Sequence, residues 1–575
     1  LMTYFLKIRT VQCNPVVGDL RGNDARALKA WTKAAADGID IVLFSEMFMT
    51  GYPPEDLLLK DYFMKDAMSI TRRLVKETAG MSVAFVMGLP VLKDGYRYNA
   101  AWFVHEGDIL SEYFKTELPN YGVFDEKRVF DSSPCFGNHI VFKGVKIGVA
   151  ICEDIWHDRI PLKWGRREID LMLSPNASPY ARSKPKDRLK VIWNAAKNAG
   201  APVVYCNQAG GQDELVFDGR SCAVNPTRAF RYAVQGLSKA WADDETDYLF
   251  AKGKIRPVQK RPIKLWSEEA DDYMGAVVGL RDYVGKSGLQ GVSFGSSGGI
   301  DSALVAAMAV DAVGADNVNA LMLPSPYSSE GSLADAIQLA ANLGMRHNYA
   351  VKIGGAYEQM QGQMSELLKQ GWALPFGGVG DENLQPRLRM NYINALANEL
   401  SENGIPTMAL STGNKSELAM GYFTAGGDGF GFYNPIKDLY KMRVYGLSNW
   451  RNSAEAHEIF GTGGERIPQA IIDKEPSAEL KPDQQDSDSL PPYPVLDDVL
   501  ERIMEKGENP VCVARDPKHE FDTVKWVYTR LMAMEFKRRL GPLGPILSRY
   551  AFDRERRLPR VNGYNCFDYV KSCLL

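Results

Sequence analysis

The chain has 575 residues, 45% apolar and 24% charged, with 68 basic against 71 acidic side chains and a net charge of −3. That length calls for two or more cores, because single domains seldom exceed about 250 residues. The balanced charge excludes a general nucleic-acid binder, which carries a strong basic excess, and no apolar run approaches the roughly 18 residues that cross a bilayer. Residues 1–9 show no basic leader ahead of a long apolar stretch, so the expected setting is the cytoplasm, with neither membrane nor nucleic acid as partner. None of the eight cysteines forms a CxxC pair and none of the six histidines shows HExxH spacing. A zinc site is therefore not expected.

Residues 1–250 alternate short apolar strands with helical patterns, which predicts an α/β domain. Ile41–Phe44, Ser82–Met87, Ala100–Val104, Lys146–Ile151 and Val203–Cys206 read as buried strands. Residues 251–266 are rich in Pro, Lys and Arg and read as an extended connector. Residues 267–575 form a second α/β domain that opens with an amphipathic helix at Ser267–Lys286. Within it, residues 473–498 are polar, proline-rich and aperiodic, and predict a long loop of the kind that covers a site.

Cys152 follows the strand Lys146–Ile151 in the turn Cys-Glu-Asp-Ile-Trp-His157. A helix starting there would lower the thiol pKa and favour the thiolate. Glu46 ends the strand Ile41–Phe44 at the edge of an apolar run, where desolvation suits a general base. Lys115 follows the strand-like Ile109–Phe114. All three fall at strand ends, where α/β folds place their sites. With the flanking Leu118-Pro-Asn-Tyr-Gly-Val-Phe124 and Ser174-Pro-Asn-Ala-Ser-Pro-Tyr180, residues 4–250 resemble the nitrilase, or carbon–nitrogen hydrolase, superfamily. The resemblance implies an α-β-β-α sandwich and a Glu46–Lys115–Cys152 triad releasing ammonia from glutamine, with Tyr121, Glu153, Ser178 and Lys184 around the substrate. It also implies a homo-oligomer.

In the second half, Leu289–Phe294 reads as a strand and Ala303–Ala312 as a helix, with Gly295, Ser296, Ser297, Gly298, Gly299, Ile300, Asp301 and Ser302 between them. Glycines let the backbone approach an anion, and a helix N-terminus offers free N–H groups to it. Gly285-Lys-Ser287 is not a Walker A loop, since Leu280 stands where a glycine is required, and Gly427-Asp-Gly-Phe-Gly431 does not complete GxGxxG. Ser297-Gly-Gly-Ile-Asp-Ser302 resembles the pyrophosphate loop of the ATP pyrophosphatases, a Rossmann-like fold with a parallel sheet. That implies ATP cleavage between the α- and β-phosphates, with Asp301 anchoring Mg2+. Further motifs, Pro326–Ser332, Glu382–Arg389, Ser411–Glu417 and Pro476–Leu480, are similar to the NAD+ synthetases. By that similarity Thr412, Lys441 and Ser477 would contact ATP; Asn383, Arg387, Glu417 and Lys537 would contact deamido-NAD+; and Glu417 would share the metal. Pro386 restricts Gln385 and predicts a displaced helix start. From the residues alone the acceptor stays open, another carboxylate or a nucleotide amidated through an adenylate; the non-enzyme alternative is a nucleotide-binding sensor on degenerate domains.

Overall fold

The computed structural model describes residues 5–133, 137–372, 374–482 and 484–569. The chain divides into two compact units, Leu1–Trp266 and Ser267–Leu575. The first contains β1 (Phe5–Gln12), α1 (Leu20–Ala36), β2 (Ile41–Leu43), α2 (Asp61–Glu77), β3 (Ala84–Lys93), β4 (Tyr96–His105) and β5 (Asp108–Phe114). These are followed by β6 (Ile140–Phe142), β7 (Val145–Val149), α3 (Arg159–Arg166), β8 (Leu171–Asn176), α4 (Lys184–Ala199) and β9 (Val203–Asn207). A hairpin of β10 (Ala209–Gln212) and β11 (Leu215–Asp218) precedes β12 (Cys222–Val224), β13 (Val234–Leu237), β14 (Asp244–Ala251) and β15 (Lys254–Pro257). The strands build a seven-stranded sheet, β15-β14-β1-β2-β3-β4-β5, and a six-stranded sheet, β13-β12-β9-β8-β7-β6.

Period-two alternation sorts the side chains of the first sheet onto two faces. Ile41, Leu43, Ala84, Val86, Ala101 and Phe103 pack with Ile147, Val149, Leu171, Leu173 and Val203 of the other sheet. Their neighbours Val42, Phe44, Phe85, Met87 and Trp102 face the other way, onto Ala27, Ala30, Trp31 and Ala34 of α1. Those four positions repeat at helical spacing, the stripe a helix needs to cover a sheet. The result is an α-β-β-α sandwich. The stretch 251–266 departs from the expected connector: Lys254–Pro257 pairs antiparallel with Tyr248–Ala251. Arg261 then binds Asp244 at 2.7 Å, which holds the following segment to the same unit. A run rich in Lys and Arg still pairs as an edge strand, because only Ile255 of β15 is buried.

The second unit opens with α5 (Glu268–Lys286), capped by the Ser267 side chain on the Ala270 N–H. It continues through β16 (Gly291–Gly295), α6 (Ile300–Val313), β17 (Val318–Met322), α7 (Glu330–Leu343), β18 (His347–Ala350), α8 (Gly354–Gly371), α9 (Val379–Glu382), α10 (Leu384–Glu402), β19 (Thr407–Ala409), α11 (Lys415–Met420) and α12 (Lys441–Arg451). The sheet order is β18-β17-β16-β19, and every pair is parallel. The chain moves outward from β16 to β17 and β18, then returns to place β19 on the other flank. The carboxyl end of β16 is thus a topological switch point, where such sheets bind ligands. Pro386 does not delay α10, which starts at Leu384. It occupies the first turn, whose N–H groups have no intrahelical partner in any case. The expected loop is also shorter than 473–498: α13 (Ala454–Phe460) and α14 (Gln469–Asp473) precede it, and Tyr493 already begins α15 (Tyr493–Met504). Pro494 falls at the second position of that helix, where a fixed φ is tolerated.

Candidate active sites

In the first unit, Glu46, Lys115 and Cys152 lie just beyond the ends of β2, β5 and β7 and are 1%, 1% and 5% exposed. Lys115 Nζ donates to Glu46 Oε1 at 2.7 Å. The other contacts of Glu46 are Asn99 Nδ2 on Oε1 at 2.7 Å and the Ala177 N–H on Oε2 at 2.9 Å. The loop carrying Glu46 crosses β3 at Gly88, where a Cβ would fall 2.4 Å from both Met47 N and Ser45 O. Only glycine allows that approach.

A fourth residue, not singled out from the sequence, completes the cluster. Glu126 Oε1 accepts from Lys115 Nζ at 2.7 Å and from the Tyr52 hydroxyl at 2.9 Å. Burial pushes its carboxyl up to about 7, against the pull of Lys115. Burial acts to lower Lys115, but the Glu126 and Glu46 charges outweigh it and hold the ammonium protonated. The expected depression of the Cys152 thiol is not found. Burial, and next the Glu46 charge, push it well above its ordinary value, against Lys115. The turn explains why: Cys152–Ile155 is a single four-residue 3-10 turn, too short to supply a helix dipole, and Cys152 sits at φ 45°. Cys152 therefore rests as a thiol, and to act as a nucleophile it would need a base.

Around this cluster, the Tyr121 hydroxyl donates to Glu153 Oε1 and Oε2 at 3.0 and 3.1 Å. Lys184 Nζ lies over the Phe124 and Trp156 rings at 5.6 and 5.9 Å, and burial, with Arg188 nearby, lowers it to about 8. The backbone of Ser178 is fixed from two sides: its N–H donates to Asn207 Oδ1 at 2.8 Å, and its carbonyl accepts from Arg188 at 3.2 Å. Arg188 is itself anchored by Asp218 at 2.8 Å.

In the second unit, a cavity of about 670 Å3 opens at the carboxyl end of β16. Gly295, Ser296, Ser297, Gly299, Ile300, Asp301 and Ser302 line it, with Thr412, Glu417, Lys441, Ser477, Asn383 and Lys537. Gly298 is tucked behind, at φ 76°, where a Cβ would stand 2.1 Å from the Ser332 carbonyl. Asn414 caps α11 in a capping box, its Oδ1 accepting the Glu417 N–H at 3.0 Å while Glu417 Oε2 accepts the Asn414 N–H at 3.1 Å. The same Asn414 donates from Nδ2 to Asp301 Oδ1 at 2.9 Å, and Lys441 pairs with Asp301 Oδ2. Lys441 lies 3.6 Å from Glu417 Oε1. Burial, then the Asp301 charge, push the Glu417 carboxyl well up.

Arg387 does not line the cavity: its Nε donates to the Ala425 carbonyl at 3.2 Å. Arg389, two residues on, does line it, with Nε on the Leu323 carbonyl at 3.1 Å. Lys537 Nζ donates to the Gly421 carbonyl at 2.7 Å, and Asn383 Oδ1 accepts from Thr424 Oγ1 at 2.6 Å. The segment around Ser477 borders the same space, and Ser477 Oγ bonds within it to the Gln484 carbonyl.

Residues 7–230 match the carbon–nitrogen hydrolase family and residues 273–541 the NAD synthase family. The chain is 40% identical to the glutamine-dependent NAD(+) synthetase of Rhodobacter capsulatus, over 98% of this chain and 99% of that one. It is 39% identical to the enzyme of the same name from Xanthomonas campestris pv. campestris, over 97% and 98%. It also resembles the structure of glutamine-dependent NAD+ synthetase from Acinetobacter baumannii in complex with ADP, with a TM-score of 0.74 and 33% identity over 98% of this chain and 99% of that one. With both family matches in order and relatives similar over nearly their whole length, the chain belongs to the glutamine-dependent NAD+ synthetases.

Proposed function

We propose that the first unit hydrolyses glutamine through Cys152, Glu46 and Lys115, and that the second amidates deamido-NAD+ at the expense of ATP. The observation that carries the reading is a buried cluster of one thiol, one ammonium and two carboxylates in the first unit, with a glycine-lined cavity in the second. Glu46 takes the thiol proton as Cys152 Sγ attacks the amide carbon, and the tetrahedral oxyanion is stabilised by Lys115. Glu46 passes that proton to the nitrogen, the C–N bond breaks and ammonia leaves. Water, deprotonated by Glu46, then hydrolyses the thioester to glutamate. Tyr121, Glu153, Ser178 and Lys184 surround the substrate, with the Lys184 ammonium suited to its α-carboxylate.

In the second unit the deamido-NAD+ carboxylate attacks the α-phosphorus of ATP, forming an adenylate and releasing pyrophosphate. Ammonia then displaces AMP and leaves the amide of NAD+. Residues 295–302 with Thr412, Lys441 and Ser477 hold ATP, and Asn383, Glu417 and Lys537 hold the dinucleotide, with Arg389 lining the cavity where Arg387 does not. Among the described residues no group of three His, Cys, Asp or Glu side chains could hold a metal unaided. Yet Asp301 and Glu417 share one ammonium, Lys441, and both offer hard oxygen donors. That set fits Mg2+, which binds through one or two carboxylates plus substrate phosphates. Bound there, Mg2+ would neutralise charge on the departing pyrophosphate. Among the described residues no helix is long and apolar enough to cross a membrane. Working in the cytoplasm as a homo-oligomer is part of the same proposal.

The test is to supply purified protein with ATP, deamido-NAD+ and either glutamine or ammonium. NAD+, AMP and pyrophosphate should form in equal amounts, joined by glutamate only with glutamine. ADP in place of AMP would overturn the adenylate reading.

A further inference from the structure

Asp154 lies two residues beyond Cys152 and is 2% exposed, yet no step above uses it. Its carboxylate is bound by main chain alone. Oδ1 accepts the Thr116 N–H at 3.0 Å and the Glu117 N–H at 2.9 Å, while Oδ2 accepts the Ile151 N–H at 3.0 Å. Thr116 directly follows Lys115, and Ile151 directly precedes Cys152. Lys115 leaves β5 of one sheet and Cys152 leaves β7 of the other, so no strand pairing sets the spacing between ammonium and thiol. Cys152 is moreover held at φ 45°, a conformation that an ordinary residue keeps only where its surroundings enforce it.

We propose that Asp154 is a positioning residue of the glutaminase site: a single carboxylate ties the Lys115 strand end and the Cys152 turn to one point, fixing the oxyanion-binding ammonium relative to the nucleophile. The proposal rests on the assignment of Cys152 as nucleophile and Lys115 as oxyanion partner. All three partners of Asp154 are donors, so the role requires an acceptor on both oxygens. An amide offers one: it keeps Thr116 and Glu117 at the price of turning its NH2 on the Ile151 N–H, or the reverse. Either way one of the two segments is released.

Stability and positioning separate at this residue. Burial raises the Asp154 carboxyl from 3.8 to about 6, against the three amides. Between those values the folded chain holds a proton that the unfolded chain releases. The stabilising contribution is therefore present below about 3.8 and is lost as pH rises through about 6. At pH 7.5 the carboxyl is in the form that is costlier to bury, yet this is the form that accepts from all three amides.

The experiment compares the full-length wild type with D154N and D154A. It measures glutaminase kcat and KM between pH 5 and 9, ammonium-supported synthesis, thermal unfolding, and the labelling rate of Cys152 by an electrophilic glutamine analogue. A displacement of about 1 Å can slow a reaction ~100-fold. The expectation is a fall in kcat of tenfold or more in D154N and further in D154A, with KM for glutamine within threefold of wild type. Labelling should slow in parallel, ammonium-supported synthesis should hold, and the acid limb of wild-type kcat near pH 6 should be absent from D154N. Wild-type kcat in D154N, or a loss that merely follows the unfolded fraction as temperature changes, would overturn the proposal. If D154A does not fold, D154N and the wild-type pH profile decide. Absence of label on wild-type Cys152 would instead overturn the nucleophile assignment beneath it.

Discussion

Glu126 stands 2.7 Å from the Lys115 ammonium, the same distance as Glu46. One cation thus serves two buried carboxylates, and in the proposed mechanism the second helps keep Lys115 charged while Glu46 gains and loses its proton. Removing one partner of such a set leaves an imbalance that packing cannot repair.

Glu126→Gln should therefore lower glutaminase kcat by ~10–100-fold, the scale of one charge-assisted hydrogen bond. Because the Glu126 carboxyl lies near 7, wild-type kcat/KM should rise through about pH 7 as the anion forms, and E126Q should flatten that limb. The stability effect has the opposite sense. Between about 4.5 and 7 the folded chain binds a proton that the unfolded chain does not, so this group's stabilisation is lost as pH rises through 7. Unfolding temperatures of wild type and E126Q across pH 5–8 check it: only the wild type should show that fall.

With Lys184 lowered to about 8, its proposed contact to the substrate carboxylate would make glutamine binding sensitive to alkaline pH. KM for glutamine should climb above pH 8 as the ammonium loses its proton. Lys184→Met should raise KM by ~10–100-fold and abolish that climb. A flat wild-type KM from pH 7 to 9.5 would place the substrate carboxylate elsewhere.

Asp301→Asn and Ser297→Ala act on the other unit. Each should reduce synthesis from glutamine and from ammonium alike, by ~100–1,000-fold, since both line the cavity at the β16 switch point. Pyrophosphate release measured with either nitrogen source reports it directly. Near-normal synthesis from ammonium in the double variant would mean that ATP binds elsewhere.

Much of this was legible in the sequence because the signals are local. Strand periodicity put Glu46, Lys115 and Cys152 at strand ends, the family resemblance grouped them, and the fold buries them together; the glycine–serine run between strand and helix marked a segment that lines the cavity. Glu126 and Asp154 escaped for the opposite reason. Each is an ordinary carboxylate in a turn, and its burial comes from loops that meet only when the two sheets close. The thiol at Cys152 was expected to be acidic from its place before a helical turn. Burial and three nearby carboxylates reverse that sign. In the second unit, Arg387 and Arg389 are two residues apart on one helix, and only the fold shows that Arg389 faces the cavity.

Ammonia made in one unit has to be used in the other, and at neutral pH ammonia free in solution is mostly protonated and not nucleophilic. Glutamate release should therefore be slow alone and rise when ATP and deamido-NAD+ are added. Residues 474–492 border the synthetase cavity through Glu475, Ser477 and Glu479, so shortening that loop should blunt the rise. With 15N-ammonium in the buffer, NAD+ made from unlabelled glutamine should carry little label. A glutaminase indifferent to the synthetase substrates, with free entry of label, would refute internal transfer.

Cys152→Ala separates the two chemistries of the chain, since Cys152 is proposed to serve only the first. NAD+ formation is measured with glutamine and, separately, with ammonium at saturating ATP and deamido-NAD+. Synthesis from glutamine should be undetectable in the variant, with a nearly wild-type rate from ammonium. Substantial glutamine-supported synthesis by the variant would contradict that assignment.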